Sequence, residues 1–217
     1  MRDVFEGELK ELTDQMIEMT RLVGTAIAQA TSAVLDADLA LAERVIEADR
    51  TLDALQIDLE EKAQVVLIRQ QPVATDLRVV MTALRMSADL ERMGDLAVHI
   101  AKLARMRYPN SAIPPELRGT IIRMGEVAEG IVAKAGSVIA TRDMTTASEL
   151  ETDDDVMDSL HRGLFIALLS RDWPHGVEAT VDVTLLSRYY ERFADHAVSV
   201  EQRVVFLVTG ERSNPAS

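Results

Sequence analysis

The sequence predicts an all-α protein built from two tandem three-helix bundles. Three observations predict it: long proline-free stretches with apolar residues at helical spacing, a composition biased toward helix formers, and a second half that repeats the first. Glycine and proline number only 10 and 6 among 217 residues, so long helices can run unbroken. Aromatics make up 4%, while Ala, Leu, Val, Met, Glu and Arg dominate, which favours helix over sheet. Hydrophobic residues at 47% and charged residues at 27% describe an ordinary folded chain, long enough for one large domain or two small ones.

Residues 4–35 carry Phe5, Leu9, Leu12, Met16, Met19, Val23, Ile27, Ala30 and Val34 at helical spacing. Asp36-Ala37-Asp38 then makes a short turn. A second row, with Val45, Leu52, Leu55, Leu59 and Val66, covers 39–69 and breaks at Gln70-Gln71-Pro72. Thr75 or Asp76 can cap a third helix that reaches about residue 107. Tyr108-Pro109-Asn110 through Pro114-Pro115 is the clearest linker, and it divides repeat 1 (1–108) from repeat 2 (109–217). A fourth helix follows over 116–140. A fifth runs from near 145 to before Asp172-Trp173-Pro174, and a sixth covers 176–208 and stops at Gly210.

The repeat is visible residue by residue. At an offset of 105, Met19, Asp38, Ala42, Asp49, Asp53, Leu55 and Leu59 match Met124, Asp143, Ala147, Asp154, Asp158, Leu160 and Leu164. Past Pro72 the offset becomes 100, so the second copy has a shorter loop. Ser87, Glu91, Arg92, Asp95, Ala97 and Val98 then match Ser187, Glu191, Arg192, Asp195, Ala197 and Val198. Short connections between the helices imply antiparallel neighbours.

Four acidic pairs at i, i+4 fall on matching positions: Asp49/Asp53 and Glu91/Asp95, then Asp154/Asp158 and Glu191/Asp195. Side chains four apart stack on one helix face, and two like charges there repel. These pairs also lie beside the apolar rows, where an unpaired carboxylate must find a cation or take up a proton. Two such helices side by side offer four carboxylates to a hard cation such as Mg, Ca or Mn, and carboxylate-rich bundles also hold iron. With acids at about one residue in six, roughly six such pairs arise by chance, so only the recurrence in both copies carries weight. Neutralisation by Arg92 and Arg192, or a plain solvated acidic face, are the competing readings.

The histidines say less. His99 extends the Glu91/Asp95 row by one turn, but its counterpart is Ser199. His161 follows Asp158 by three, and His196 points away from the row of its neighbour Asp195. His175 sits in a loop with Trp173 and Pro174. The methionines fall mostly at core spacing. No cysteine is present, which removes disulfides and thiolate metal sites and fits a cytoplasmic protein. The net charge of −13 repels nucleic acid phosphates and anionic lipid heads, so neither is an expected partner. The N-terminus lacks a signal peptide's apolar core, and no apolar run is long enough to span a membrane. No phosphate loop, nucleophile elbow or HExxH motif is found, and nothing specifies a reaction.

Gln70-Gln71-Pro72-Val73-Ala74-Thr75-Asp76-Leu77-Arg78 and Asp89-Leu90-Glu91-Arg92-Met93-Gly94-Asp95 resemble the PhoU family of phosphate-transport regulators, the actinobacterial PhoY type included. In the second copy, Tyr190-Glu191-Arg192-Phe193-Ala194-Asp195-His196-Ala197 and Thr209-Gly210-Glu211 extend the likeness, as does the opening Arg2/Phe5/Leu9 stripe. Tyr190 and Ser199 depart from the family's usual Leu and Asn, which bears on the geometry of the second site. The resemblance implies a cytoplasmic, non-enzymatic, homodimeric adaptor. It would link the ATPase subunit of a phosphate ABC transporter to a two-component sensor histidine kinase and hold the starvation response off. It also implies metal, often iron and otherwise Mg, Mn, Ca or Zn, at Glu91, Asp95, Glu191 and Asp195, with Asp49, Asp53, Asp154 and Asp158 as the matching pairs. The alternative is a carboxylate-bridged di-metal enzyme or metal-storage bundle. Such sites use Glu-x-x-His from two helices, and this chain has only Asp158-x-x-His161.

Overall fold

The computed structural model describes residues 2–210, apart from the side chains of 2–4, 144–149 and 151. Of the residues named above, Glu211 and the side chains of Arg2 and Ala147 therefore lie outside the described residues. Six long helices follow in order: α1 (Arg2–Asp36), α2 (Leu39–Gln70), α3 (Ala74–Arg107), α4 (Arg118–Thr141), α5 (Met144–Leu168) and α6 (Gly176–Thr209). Among the described residues there is no strand.

The helix ends have local causes. Ala37 turns left-handed (φ 51°), and the Asp38 carboxylate accepts a hydrogen bond from the Leu41 N–H at 2.9 Å, capping α2. Gln71 is left-handed (φ 45°) just before Pro72, which cannot continue α2. At Gly210 (φ 78°) the N–H donates to the Phe206 carbonyl at 2.9 Å and closes α6. The start of α3 differs from expectation. Val73 is the N-cap and no side chain caps it; the Asp76 N–H is satisfied by the Val73 carbonyl instead. A 3₁₀ turn, Pro115–Leu117, precedes α4, so that helix begins at Arg118 rather than near 116.

Within each half the helices pack on one another: α1, α2 and α3 in the first, α4, α5 and α6 in the second. The halves join along two further contacts, α1 on α4 and α3 on α6, and a single apolar core runs through both. Both contacts are antiparallel. Arg118 reaches Asp36, Gly125 meets Thr31, Gly24 meets Val132, and Gly136 meets Thr20. Thr20 and Thr31 are the repeat counterparts of Gly125 and Gly136, so the two threonine–glycine contacts exchange under the repeat. The halves are thus related by a pseudo-twofold axis, as in an isologous dimer interface.

Between α3 and α6 the same relation brings polar partners together. The Arg107 guanidinium donates to both oxygens of the buried Asp182, at 2.6 and 2.9 Å, and also pairs with Glu178. Arg203 donates to Asp89 at 2.7 Å, and the His99 ring lies 5.2 Å from that of Tyr189. Arg78 stands over the Phe206 ring at 5.5 Å. The result is a central group of four helices, α1, α3, α4 and α6, with α2 and α5 on the flanks. Buried residues reflect it, with sixteen on α3 against six on α2.

A side chain at Gly125 would place its Cβ 2.5 Å from Thr31 Cγ2, and Thr31 has no room to turn. Its hydroxyl bonds the Ile27 carbonyl at 2.8 Å and the Tyr190 hydroxyl at 2.7 Å. Gly125→Val is expected to destabilise the fold by about 1–3 kcal/mol and lower Tm by roughly 3–10 °C. Gly130, where an added Cβ meets nothing within 4 Å, is the control: Gly130→Ala should leave Tm unchanged or raise it. Thermal melts followed by circular dichroism distinguish the two.

Candidate metal centre

The acidic pairs fall on the seams between flanking and central helices. In the α2–α3 hairpin, Asp49 and Asp53 lie on α2, and Glu91 and Asp95 lie on α3. In the α5–α6 hairpin, Asp154 and Asp158 lie on α5, and Glu191 and Asp195 lie on α6. Chain reversal sets the two pairs of each hairpin opposite each other. Asp49 feels the charges of Asp53 and Asp95, and Glu91 feels Asp95, Asp53 and Asp49. In the second half, Asp154 feels Asp195, Asp158 and Glu191, and Glu191 feels Asp195 and Asp158. Each seam therefore gathers its four carboxylates into one electrostatic group. Among the described residues, no three His, Asp or Glu side chains converge closely enough to ligate one ion as they stand.

Burial is the first cause of the shifted acidities. It pushes Asp49 up to about 6, with Asp53 and Asp95 adding repulsion. It pushes Asp154 up to about 6, with Asp195 and Asp158 adding to it. Glu91 and Glu191 move upward for the same reason, reinforced most by Asp95 and Asp195. Close helix approach creates this burial. A Cβ on Gly94 would collide with Leu52 and stand 3.4 Å from Asp49 Oδ1, so glycine is what lets α2 sit this near. Its counterpart in the second half is Ala194.

Cations of the chain answer part of this charge. Arg92 pairs with Asp95 at 2.7 Å. In the second seam the partner is Arg188, one turn before Glu191, and not the Arg192 that the repeat nominates. Lys102 acts on Asp49 from the end of the first seam. Arg188 holds Oε1 of Glu191, while Oε2 is buried with no hydrogen-bond partner. An orphaned carboxylate oxygen inside a four-acid group is chemistry that a cation satisfies, and an oxygen donor set suits a hard one. That oxygen favours a cation in the second seam, although the described side chains do not form a ligating set there as they stand.

The histidines sort differently from their sequence positions. His161 Nδ1 lies 2.5 Å from the buried Ser187 hydroxyl, beside the second seam, and its charge reaches Glu191. His99 bonds the Asp95 carbonyl through Nδ1 at 2.6 Å and is exposed. His196 faces Asp89 across the two halves at 3.2 Å, away from the acidic seam. His175 pairs with Glu116 and stacks edge-on against Trp173 at 4.8 Å. Arg188, Lys102 and Ser187 were not legible in advance, because their roles depend on which side of a neighbouring helix they meet.

Six helices in two matching halves, fused along a pseudo-twofold axis with a carboxylate seam in each, define a duplicated helical-bundle protein. The profile of the PhoU domain matches residues 16–104 and again residues 121–204. The chain belongs to the PhoU family. It is 49% identical over 210 residues to the phosphate-specific transport system accessory protein PhoU homolog 2 of Mycobacterium tuberculosis, covering 97% of this chain and 99% of that one. The PhoU homolog of Rhizobium meliloti is 32% identical, over 95% of this chain and 87% of its own. Among solved structures, PhoU from Pseudomonas aeruginosa superposes with a TM-score of 0.87 at 26% identity, over 95% of this chain and all of that one. The phosphate transport system regulatory protein PhoU from Streptococcus pneumoniae gives 0.86 at 25% identity, over 97% and 99%.

The acidities carry a pH dependence. An acid whose folded-state pKa stands above its unfolded value costs stability once ionised. That cost is absent below about pH 4, grows as pH rises toward 6, and is complete above it. With both groups half exposed, solvent screening reduces it to roughly 1 kcal/mol each. Metal-free protein should therefore melt higher at pH 5 than at pH 7.5. The Asp49→Asn/Asp154→Asn variant should melt higher than wild type at pH 7.5 and lose most of the difference between the two pH values.

Proposed function

We propose that this chain is an accessory protein of a phosphate-specific transport system that keeps the phosphate-starvation response off when phosphate is plentiful. It works in the cytoplasm as a non-catalytic adaptor: its acidic surface docks on basic faces of the transporter ATPase subunit and of a sensor histidine kinase. One observation carries this reading, the identity of 49% along nearly the full length of both chains with a protein named for that transport system. The absence of a membrane-crossing helix among the described residues is compatible with it. The chain acts as a homodimer.

Metal belongs to the same reading. Glu91, Asp95, Asp49 and Asp53 hold a divalent or trivalent cation in the first seam, and Glu191, Asp195, Asp154 and Asp158 hold one in the second. Iron, Mg, Mn, Ca and Zn are the candidates. The ion supplies positive charge between like charges. The carboxylates, by binding it, brace α2 against α3 and α5 against α6. What supports this is the buried, partnerless oxygen of Glu191 and the upward-shifted pKa values of Asp49 and Asp154, whose charged forms a cation would stabilise.

Deleting the gene from a host with no second copy is expected to switch on phosphate-starvation genes in phosphate-rich medium. Unchanged transcript levels would count against the regulatory role. Protein purified without chelators should carry metal, and the Glu91→Ala/Glu191→Ala double variant should carry less by elemental analysis. Equal metal in both would remove the seam assignment.

A further inference from the structure

The two halves agree in their acids and differ at the tips of their outer hairpins. In the second half, the end of α5 carries Phe165 and Ile166, with Leu169 just beyond it, and the first three turns of α6 carry Val177, Val181 and Leu185. All six are exposed, and Ile166, Leu169 and Val177 stand 75%, 79% and 80% in solvent. The antiparallel register of the hairpin follows from His161, whose Nδ1 lies 2.5 Å from the Ser187 hydroxyl. Phe165, four residues nearer the tip, is therefore level with Val181 and Leu185, and Leu169 is level with Val177 and Val181. Phe165 rests edge-on against the His161 ring at 4.9 Å, which steadies it. Together the six side chains make one apolar patch extending about 12 Å along the helix axes.

The fold does not need this patch. Under the repeat, Phe165, Ile166, Leu169 and Leu185 correspond to Glu60, Glu61, Gln64 and Arg85. Glu61, Gln64 and Arg85 are exposed, and Glu60 is partly so. The same hairpin is thus built with polar residues at these places in the first half. The second half puts large apolar side chains there and leaves them in water, which marks an interaction surface. Its rim is basic, in a chain with 36 acids against 23 Lys and Arg. Arg162 lies one turn before Ile166, and Arg171 lies two residues beyond Leu169; both are exposed and make no ion pair among the described residues. Arg188 follows Leu185 by three and is tied to Glu191. Of the acids at this tip, Glu178 and Asp182 are held by Arg107, which leaves Asp172 against two unpaired arginines.

We propose that the tip of the α5–α6 hairpin docks an acidic amphipathic helix of a partner protein. Apolar residues at i, i+4 and i+7 of that helix cover Phe165, Ile166, Leu169, Val177, Val181 and Leu185, and its flanking Asp or Glu side chains reach Arg162 and Arg171. A second copy fits less well, because an isologous contact centred on the patch brings the two arginine rims together. An anionic lipid surface would meet the net charge of −13. The site goes beyond the adaptor reading, whose contacts use the acidic surface, and does not depend on it.

The test is fluorescence anisotropy with the full chain and a labelled designed helix carrying Leu at i, i+4 and i+7 between Glu flanks. Wild type is expected to bind it with a Kd of about 100 µM or tighter, and a Lys-flanked peptide of the same apolar pattern at least 10-fold more weakly. Ile166→Glu/Leu169→Gln, which installs the first half's residues, should lose at least 10-fold while Tm stays within about 4 °C of wild type. Arg162→Glu/Arg171→Glu should reverse the preference between the two peptides. Leu77→Gln, at the other tip, should bind as wild type does. The proposal is overturned if wild type binds neither peptide or both equally, or if Ile166→Glu/Leu169→Gln still binds. A larger fall in Tm overturns it as well, since the patch would then belong to the core. Sedimentation and vesicle binding separate the other occupants. A wild-type dimer that this variant turns into monomer assigns the patch to a second copy, and binding to phosphatidylglycerol vesicles that the variant loses assigns it to a membrane; either result overturns the proposal.

Discussion

Everything in this molecule hangs on the antiparallel packing of each inner helix against its own repeat counterpart. α1 lies on α4 and α3 on α6, and the apolar core passes through both contacts without a break. Close approach along α1–α4 needs glycine opposite threonine at two places, and the threonine hydroxyls stay satisfied by their own helix. Register along α3–α6 is set by charge. Asp182 is 2% exposed and Asp89 9%, and each is met by an arginine from the other half. A slide of one helical turn would leave both carboxylates buried without partners, an arrangement that costs several kcal/mol per group. The halves are thereby held in one alignment by polar groups that apolar packing alone would not specify.

The flanking helices are attached on different terms. α2 buries only a narrow stripe, Ala42, Val45, Leu52, Leu59, Ala63 and Val66, and it packs against α1 and α3 of its own half. Its seam with α3 contains four like charges where packing alone would favour apolar or paired residues. A sequence that keeps such a conflict in both copies departs from local consistency, and departures of this kind concentrate at functional sites. Gly94 makes the conflict sharper, since it draws α2 close enough for Leu52 and Asp49 to sit over the α3 backbone. The geometry couples the electrostatic state of each seam to how tightly an outer helix is held.

Duplication did not leave two identical seams. Lys102 and His99 stand at one end of the first; Arg188, His161 and Ser187 stand at the other end of the second. Each seam thus has its own balance of protein cations and polar neighbours, although the acids themselves repeat. The inner helices diverged as well: Tyr190, fully buried and bonded to Thr31 across the halves, has Leu90 as its counterpart, which fills the same position without a hydrogen bond. Relaxed pairing under a pseudo-twofold axis allows such divergence because each half meets only the other's copy of a position.

Most of the fold was legible in the chain. Six helices, their loops and the duplication follow from apolar spacing, Pro72, Gly210 and the offsets of 105 and 100, all of which are local or pairwise properties of sequence. The boundaries that were missed, at Val73 and at Pro115–Leu117, are places where the backbone satisfies its own hydrogen bonds and no side chain announces it. The acidic positions were also readable, because a residue repeated four apart in two copies is a pattern in one dimension. What only the tertiary structure decided is which groups meet across helices. That Arg188 rather than Arg192 reaches Glu191, that His196 turns to Asp89, that His161 is held by Ser187, and that the halves join α1 to α4 and α3 to α6 are facts of helix rotation and interhelical register. A 100° step per residue separates neighbouring side chains on a helix, and the sequence carries no record of which neighbour lies in that direction.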